Sequence, residues 1–314
     1  MLMKKYVICF LLCCLCGCQN PPSNFEQWMK PNGQLKVVST TAIIDDLVAQ
    51  IGGEKIDHLA LIQGAMDPHS YELVKGDDEK LLFAGIIFYN GLGLEHGASL
   101  CYQLKKHPKA VALGETIWEQ NPSAILIERG QVDPHIWLDV SLWALAIDPI
   151  TQALGESDPE NREYYQERAK EVKDRLFALD ASIAKKLRGI PQEKRHLVTS
   201  HDAFNYFARR YLGEGDLSWK TRFCAPEGLA PDGQLSYHDI QMVVDYLDKH
   251  GVEVMFSEAN VSRDSLKKIF SVCTEKKRKV KIAKTPLYSD TLGDSTYQEM
   301  MEHNANTLYT AWIN

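Results

Sequence analysis

Beyond Leu15 the sequence has no apolar run long enough to cross a bilayer as a helix, so the body of the chain is expected to be soluble. It also has no excess of positive charge. The formal net charge of −7 argues against nucleic acid as a partner. No His-Glu-x-x-His segment occurs, which removes one common zinc-hydrolase arrangement. Low-complexity tracts and short repeats are missing too, leaving a globular chain as the expectation. Cysteine is scarce outside the N-terminal segment: only Cys101, Cys224 and Cys273 follow residue 18, and none is spaced Cys-x-x-Cys. These thiols do not read as a metal site.

The N-terminus carries what the body lacks. Lys4 and Lys5 precede the apolar run Tyr6–Leu15, which is too short for a mature membrane helix but suits a secretory signal. The run ends in Leu15-Cys16-Gly17-Cys18, which resembles the lipobox of bacterial lipoproteins, with Cys16 an unusual residue inside it. That resemblance implies a signal peptide over 1–17 and a lipid on the Cys18 thiol. An ordinary signal peptide or a simple anchor is the alternative. The polar, proline-containing stretch 18–34 reads as a tether. Export implies an oxidising compartment, where a Cys224–Cys273 disulfide with Cys101 free is one expectation and three unpaired thiols the other.

From Leu35 onward, short β-rich runs alternate with helical periods. Leu35–Thr40, His58–Ile62 and Ile86–Asn90 read as strands. Ile43, Ile44, Leu47, Val48 and Ile51 recur at helical spacing. Such alternation predicts an α/β fold with mainly parallel sheets. The rhythm breaks after Asp158, where Tyr165, Ala169, Val172, Leu176, Leu179, Ile183 and Leu187 form a single apolar stripe among charged residues. A helix of about 30 residues would run about 45 Å and could join two lobes rigidly, the alternative being a long surface helix of a single domain. The alternation then resumes with strands at Leu197–Ser200, Val252–Ser257 and Val280–Ala283. The expected organisation is an N-terminal lobe over 35–157, a linker helix over 158–190 and a C-terminal lobe over 191–314.

Two copies of Asp-Pro-His, at Asp67-Pro68-His69 and Asp133-Pro134-His135, each place an imidazole just after a proline-stiffened turn. His201 follows the strand that ends at Ser200, and Asp290 follows the strand Val280–Ala283. Ligands in open α/β sheets gather at the carboxyl ends of strands. Any one of ten histidines is weak evidence, and His58, His96, His107, His196, His238, His250 and His303 are most simply surface or hydrogen-bonded residues. The set His69, His135, His201 and Asp290 is more specific. It predicts a transition-metal site with two donors on either side of the linker helix.

Five segments occur in order: Asp67-Pro68-His69-Ser70-Tyr71-Glu72, Asn90 to Glu95, Asp133 to Asp139, Ser200 to Phe204, and Tyr288-Ser289-Asp290. Together they resemble the metal-specific solute-binding lipoproteins of ABC importers (cluster A-I), with the stretch Gly64–Asp77 most similar to the YtgA-type, iron-linked branch. The resemblance implies two α/β lobes on one rigid helix, and His69, His135, His201 and Asp290 as ligands of one Fe²⁺, Zn²⁺ or Mn²⁺ ion. It also implies a membrane permease with its ATPase as partners, an extracytoplasmic monomer held by lipid, and no enzymatic activity. Manganese-binding members often carry Glu where this chain has His201, whereas zinc-specific members often carry a His-rich loop where Glu115–Gln131 has no histidine. The metal therefore stays open.

Four protein donors can close a coordination shell without water, whereas zinc enzymes keep a position open for it. Capture and delivery is the natural expectation. The rivals are a secreted zinc-dependent hydrolase built on the three histidines and a lipid-anchored adhesin with a structural metal. Imidazoles bind metal only when deprotonated, so affinity is expected to fall below about pH 6.5. Asp139 and Glu72 are candidates for orienting the imidazoles, and Gly293 for letting the Asp290 loop move.

Overall fold

The computed structural model describes residues 28–215, 217–231 and 233–313. The expected signal peptide 1–17 and the lipid-bearing Cys18 lie outside the described residues. At the end of the expected tether, the Gln34 side chain already donates to the Glu54 carbonyl at 2.6 Å, so the folded body takes hold of the chain before Leu35.

Four parallel strands, β1 (Leu35–Thr41), β2 (Ile56–Ile62), β3 (Ile86–Tyr89) and β4 (Ala110–Ala112), form the first sheet in the order β2-β1-β3-β4. The helix Ala42–Gly52 crosses from β1 to β2. The Thr41 hydroxyl caps its start, and all five residues expected on its apolar face are buried. A two-residue hairpin, β5 (Ile127–Glu128) and β6 (Gln131–Val132), leads into the second Asp-Pro-His.

In the second half, β7 (Leu197–Val198) pairs with β8 (Phe223–Cys224), and β9 (Val254–Met255) with β10 (Lys281–Ile282), both parallel. A hydrogen bond from Phe256 N–H to the Val198 carbonyl, at 2.8 Å, links the two pairs. β7, β9 and β10 are shorter than expected, and β8 is a strand that the sequence pattern did not mark. Their carboxyl ends leave the ladder early and supply loops instead: Ser200 and His201 bond to Glu258, and Leu287 to Ser257.

The long helix spans Arg162–Arg188 and is preceded by a 3-10 turn at Pro159–Asn161. At 1.5 Å per residue it runs about 40 Å. Every residue of the expected stripe is buried. One buried position on it is not apolar: Asp180 accepts from Arg210 and from the Tyr211 hydroxyl, both at 2.9 Å. The apolar core is continuous from Val37 in β1, through the long helix, to Trp312 near the C-terminus. Gly33–Asn314 packs as one compact unit. Large hinge rotation would have to break that core, so the helix acts as a strut.

Of the two arrangements expected, a Cys224–Cys273 disulfide or three unpaired thiols, the structure has the second: Cys101, Cys224 and Cys273 are separate thiols. Cys224 and Cys273 belong to the apolar cluster beneath the helix Tyr237–His250. Burial pushes the Cys224 thiol up to about 12 and raises Cys273 as well, which disfavours the thiolate that disulfide formation needs.

Candidate metal site

The loops beyond the carboxyl ends of the strands carry the four expected donors. His69 lies between β2 and β3, His135 just after β6, His201 after β7 and Asp290 after β10. One donor atom from each lies within 4.8 Å of all the others, and all four residues are buried. His69 Nε2 and His135 Nε2 are 3.3 Å apart. Asp290 turns Oδ2 toward His201 Nε2 at 3.3 Å and Oδ1 toward His135 Nε2 at 3.6 Å. Two nitrogens on one tetrahedral zinc sit about 3.3 Å apart, so the pocket has the dimensions of a coordination sphere.

Buried carboxylates support two of the imidazoles from behind. His201 Nδ1 faces Glu258 Oε2 at 2.6 Å, while Glu258 Oε1 accepts from the backbone of Ser200 and His201 at 2.8 and 2.9 Å. His135 Nδ1 faces Asp133 Oδ1 at 2.8 Å, and the same oxygen accepts from His135 N–H at 2.9 Å. Each carboxylate engages Nδ1, which fixes the orientation of the ring and turns Nε2 toward the cavity. Asn260 donates to Asp290 Oδ2 at 3.1 Å.

The electrostatics of the pocket follow from this packing. Burial, with further repulsion from His135 and His201, drives the His69 pKa well below its usual value, so this ring is a neutral donor. Burial also disfavours charge on His201, but Glu258 and Asp290 outweigh it and raise its pKa well above 6.5. Burial alone would raise the Asp290 carboxyl; the three imidazoles, His201 foremost, hold it far below the usual carboxylate range. The pH window expected from ordinary imidazoles therefore shifts. Because Glu258 and Asp290 favour the charged ring, a cation competes with a proton for His201.

The two residues expected to orient the imidazoles do other work. Asp139 caps the helical turn Val140–Trp143 through Ser141 and Leu142 and lies near Arg209 and Arg210. Glu72 caps the helix Ala98–Lys106 by accepting from Ala98 and Ser99. Both have backbone N–H groups closer to hand than any imidazole. The residues that do orient the rings, Asp133 and Glu258, were legible only in part. Asp133 opens the second Asp-Pro-His, where it reads as a turn former, and Glu258 stands at the carboxyl end of an apolar strand. Gly293 is left-handed at φ +62°, with the Tyr288 ring 2.9 Å from where a Cβ would lie, so the tight loop itself requires glycine there.

Two small parallel sheets on one strut, with a buried nest of imidazoles and one carboxylate between them, belong to the class of metal-binding proteins that capture a solute between lobes. The particular family follows from the sequence. Residues 37–311 match the family described as "ZnuA: Zinc-uptake complex component A periplasmic", and the chain belongs to it. It is 40% identical over 303 residues to the metal-binding protein YtgA of Chlamydia trachomatis, covering 95% of this chain and 92% of that one. It is 32% identical over 305 residues to the manganese-binding lipoprotein MntA of Bacillus subtilis, covering 94% of each. Among solved structures, Fe(III)-bound YtgA from C. trachomatis superposes with a TM-score of 0.85 at 40% identity, covering 89% of this chain and 98% of that one. The periplasmic zinc-binding protein TroA from Treponema pallidum gives 0.81 at 30% identity, covering 89% and 99%. The chain is thus a metal-binding component of an ABC importer and not an enzyme. The hydrolase and adhesin alternatives are not favoured. No described helix is long and apolar enough to cross a membrane.

Proposed function

We propose that this protein takes up one transition-metal ion outside the cytoplasmic membrane through His69, His135, His201 and Asp290 and delivers it to its cognate permease and ATPase. The observation that carries this reading is the convergence of four buried donors within 4.8 Å, supplied from both sides of the long helix. Residues 35–157 act as one lobe and 191–314 as the other, with 158–190 between them. Cys18 carries the lipid that keeps a monomer at the membrane surface.

Three imidazoles and a carboxylate suit Zn²⁺ and Fe²⁺. Both Asp290 oxygens face imidazoles across the cavity, so a fifth donor atom is available to an ion that prefers more than four, as Fe²⁺ and Mn²⁺ do. The iron-bound relative supports iron as cargo, and the manganese- and zinc-binding relatives make those ions its competitors. Elemental analysis of purified protein, followed by competition among Fe²⁺, Mn²⁺ and Zn²⁺, tests the assignment. His135→Ala and Asp290→Asn should each lose stoichiometric metal. Retention of a full, tightly held equivalent by both variants would refute the site.

A further inference from the structure

The four donors divide by position in the chain into two from each half, but the hydrogen bonds divide them differently. The segment carrying His135 is fastened chiefly to the second half of the molecule. Asn205 donates to Asp133 Oδ2 at 3.0 Å, and the Tyr206 hydroxyl to the Asp133 carbonyl at 2.9 Å. The Trp137 indole donates to the Ser289 carbonyl at 2.7 Å, and the Tyr297 hydroxyl to the Trp137 carbonyl at 2.6 Å. The Tyr211 hydroxyl accepts from Val140 N–H at 3.2 Å. In the other direction, Asn90 donates to the Pro134 carbonyl at 3.0 Å.

His69 is held differently, although its tripeptide is identical. Asp67 accepts from His69 N–H at 2.9 Å and from Ser70, so it shapes the turn, whereas Asp133 also reaches the ring of its histidine. Among the described residues no carboxylate backs the His69 ring as Asp133 and Glu258 back the other two. The chain is anchored just beyond His69. The Tyr71 carbonyl packs 1.9 Å from where a Gly97 Cβ would lie, and Leu73 N–H donates to Ser99 at 2.8 Å. Before His69, Gln63, Gly64, Ala65 and Met66 form an exposed arch. One bond reaches that arch from the opposite half: the Thr291 hydroxyl donates to the Gly64 carbonyl at 2.5 Å, one residue beyond Asp290.

We infer that the site works as three fixed donors and one removable one: His135, His201 and Asp290 form a preassembled seat, His69 closes it, and Thr291 is the positioning residue that latches the His69 arch. This rests on the ligand assignment proposed above. An ion lands on the three-donor seat while the arch is lifted. His69 then supplies the last donor as the Thr291–Gly64 bond forms. Release reverses the order and needs no separation of the two sheets, whose shared core stays intact. The buried seat and the exposed arch have the stabilities this division requires, since local opening favours segments with few buried contacts.

Co²⁺ serves as the probe, because its visible absorption reports the number and type of donors. In stopped-flow mixing with excess chelator, Thr291→Val should release Co²⁺ about five- to tenfold faster than wild type, the scale of one neutral hydrogen bond. The Co²⁺ spectrum should not change, and Thr291→Ser, which keeps the hydroxyl and its second bond from Gly293 N–H at 3.1 Å, should restore the slow rate. His69→Ala should still take up one Co²⁺ with an altered spectrum and weakened affinity, whereas His135→Ala should not. Equal release from Thr291→Val and wild type, or equal loss of binding in His69→Ala and His135→Ala, would overturn the division of donors. Full Co²⁺ affinity in both histidine variants would instead overturn the ligand assignment beneath it.

Discussion

Replacing Glu258 by Gln would test the electrostatic logic of the site most sharply, because the change conserves shape and alters only charge and hydrogen-bond polarity. In the native pocket one oxygen of Glu258 accepts from two backbone N–H groups and the other faces His201 Nδ1 at 2.6 Å. An amide carbonyl must stay with the backbone donors, since NH₂ there would oppose two further N–H groups. The amide NH₂ then faces Nδ1 and favours the tautomer with its proton on Nε2, where a metal has to bind. Loss of an orienting partner of this kind weakens metal affinity about 10- to 100-fold, or ~1.4–2.7 kcal/mol. The pH dependence should change as well. In wild type, Glu258 and Asp290 raise the His201 pKa, so a cation competes with a proton there and affinity should climb with pH. In the variant that slope should shrink near neutral pH, as the His201 pKa drops. The metal-free fold should respond in the opposite sense. The proton on His201 contributes stability that is complete below pH 6.5 and is lost as pH rises through the raised value. Competition titrations against a chelator at pH 6, 7 and 8 supply the comparison. An unchanged affinity and an unchanged slope in Glu258→Gln would refute this account.

Three further predictions concern the frame around the site. Asp180→Ala should destabilise the protein by about 2–4 kcal/mol in urea unfolding, because it strands the buried Tyr211 hydroxyl and one side of Arg210; a loss under 1 kcal/mol would count against Asp180 as a strut pin. His196 is buried against His250 and Arg222, and burial, with those two neighbours, lowers its pKa to about 4. Its contribution to stability is complete above pH 6.5 and erodes as pH falls from there toward about 4, so His196→Gln should show a shallower acid dependence of the urea midpoint than wild type. Peptide mapping of non-reduced protein should recover Cys224 and Cys273 as separately alkylated peptides, and a linked peptide would contradict the structure.

Much of this architecture could be read from local pattern. The apolar stripe from Tyr165 to Leu187 sits at helical spacing over about six turns, too long and too regular to be anything but one helix, and each of its positions is buried. Strands β1 to β3 stood out because parallel strands covered on both faces are apolar throughout. Strands β7, β9 and β10 were overestimated in length for the same reason, and the two-residue β8 went unmarked. Apolar residues continue past the end of each ladder, but their backbone bonds go to Glu258 and the neighbouring loops. Asp180 escaped notice because a carboxylate on a charged helix looks solvated until Arg210 and Tyr211 are folded against it.

The sequence by itself determined that four particular side chains should meet. Two proline-stiffened turns and two strand ends present His69, His135, His201 and Asp290, and the chemistry of imidazole and carboxylate names a transition metal as their common purpose. It could not say how those donors are held. The identical tripeptides Asp67-Pro68-His69 and Asp133-Pro134-His135 differ only in what packs around them. Asn205, Tyr206 and the Ser289 carbonyl come from distant parts of the chain to lock the second, while the first lies beneath an exposed arch with one hydrogen bond across it. Local sequence specifies a turn and the donor it presents. The stiffness of that donor, and the proton its ring carries, depend on neighbours far away in the chain, and only the tertiary fold brings them into contact.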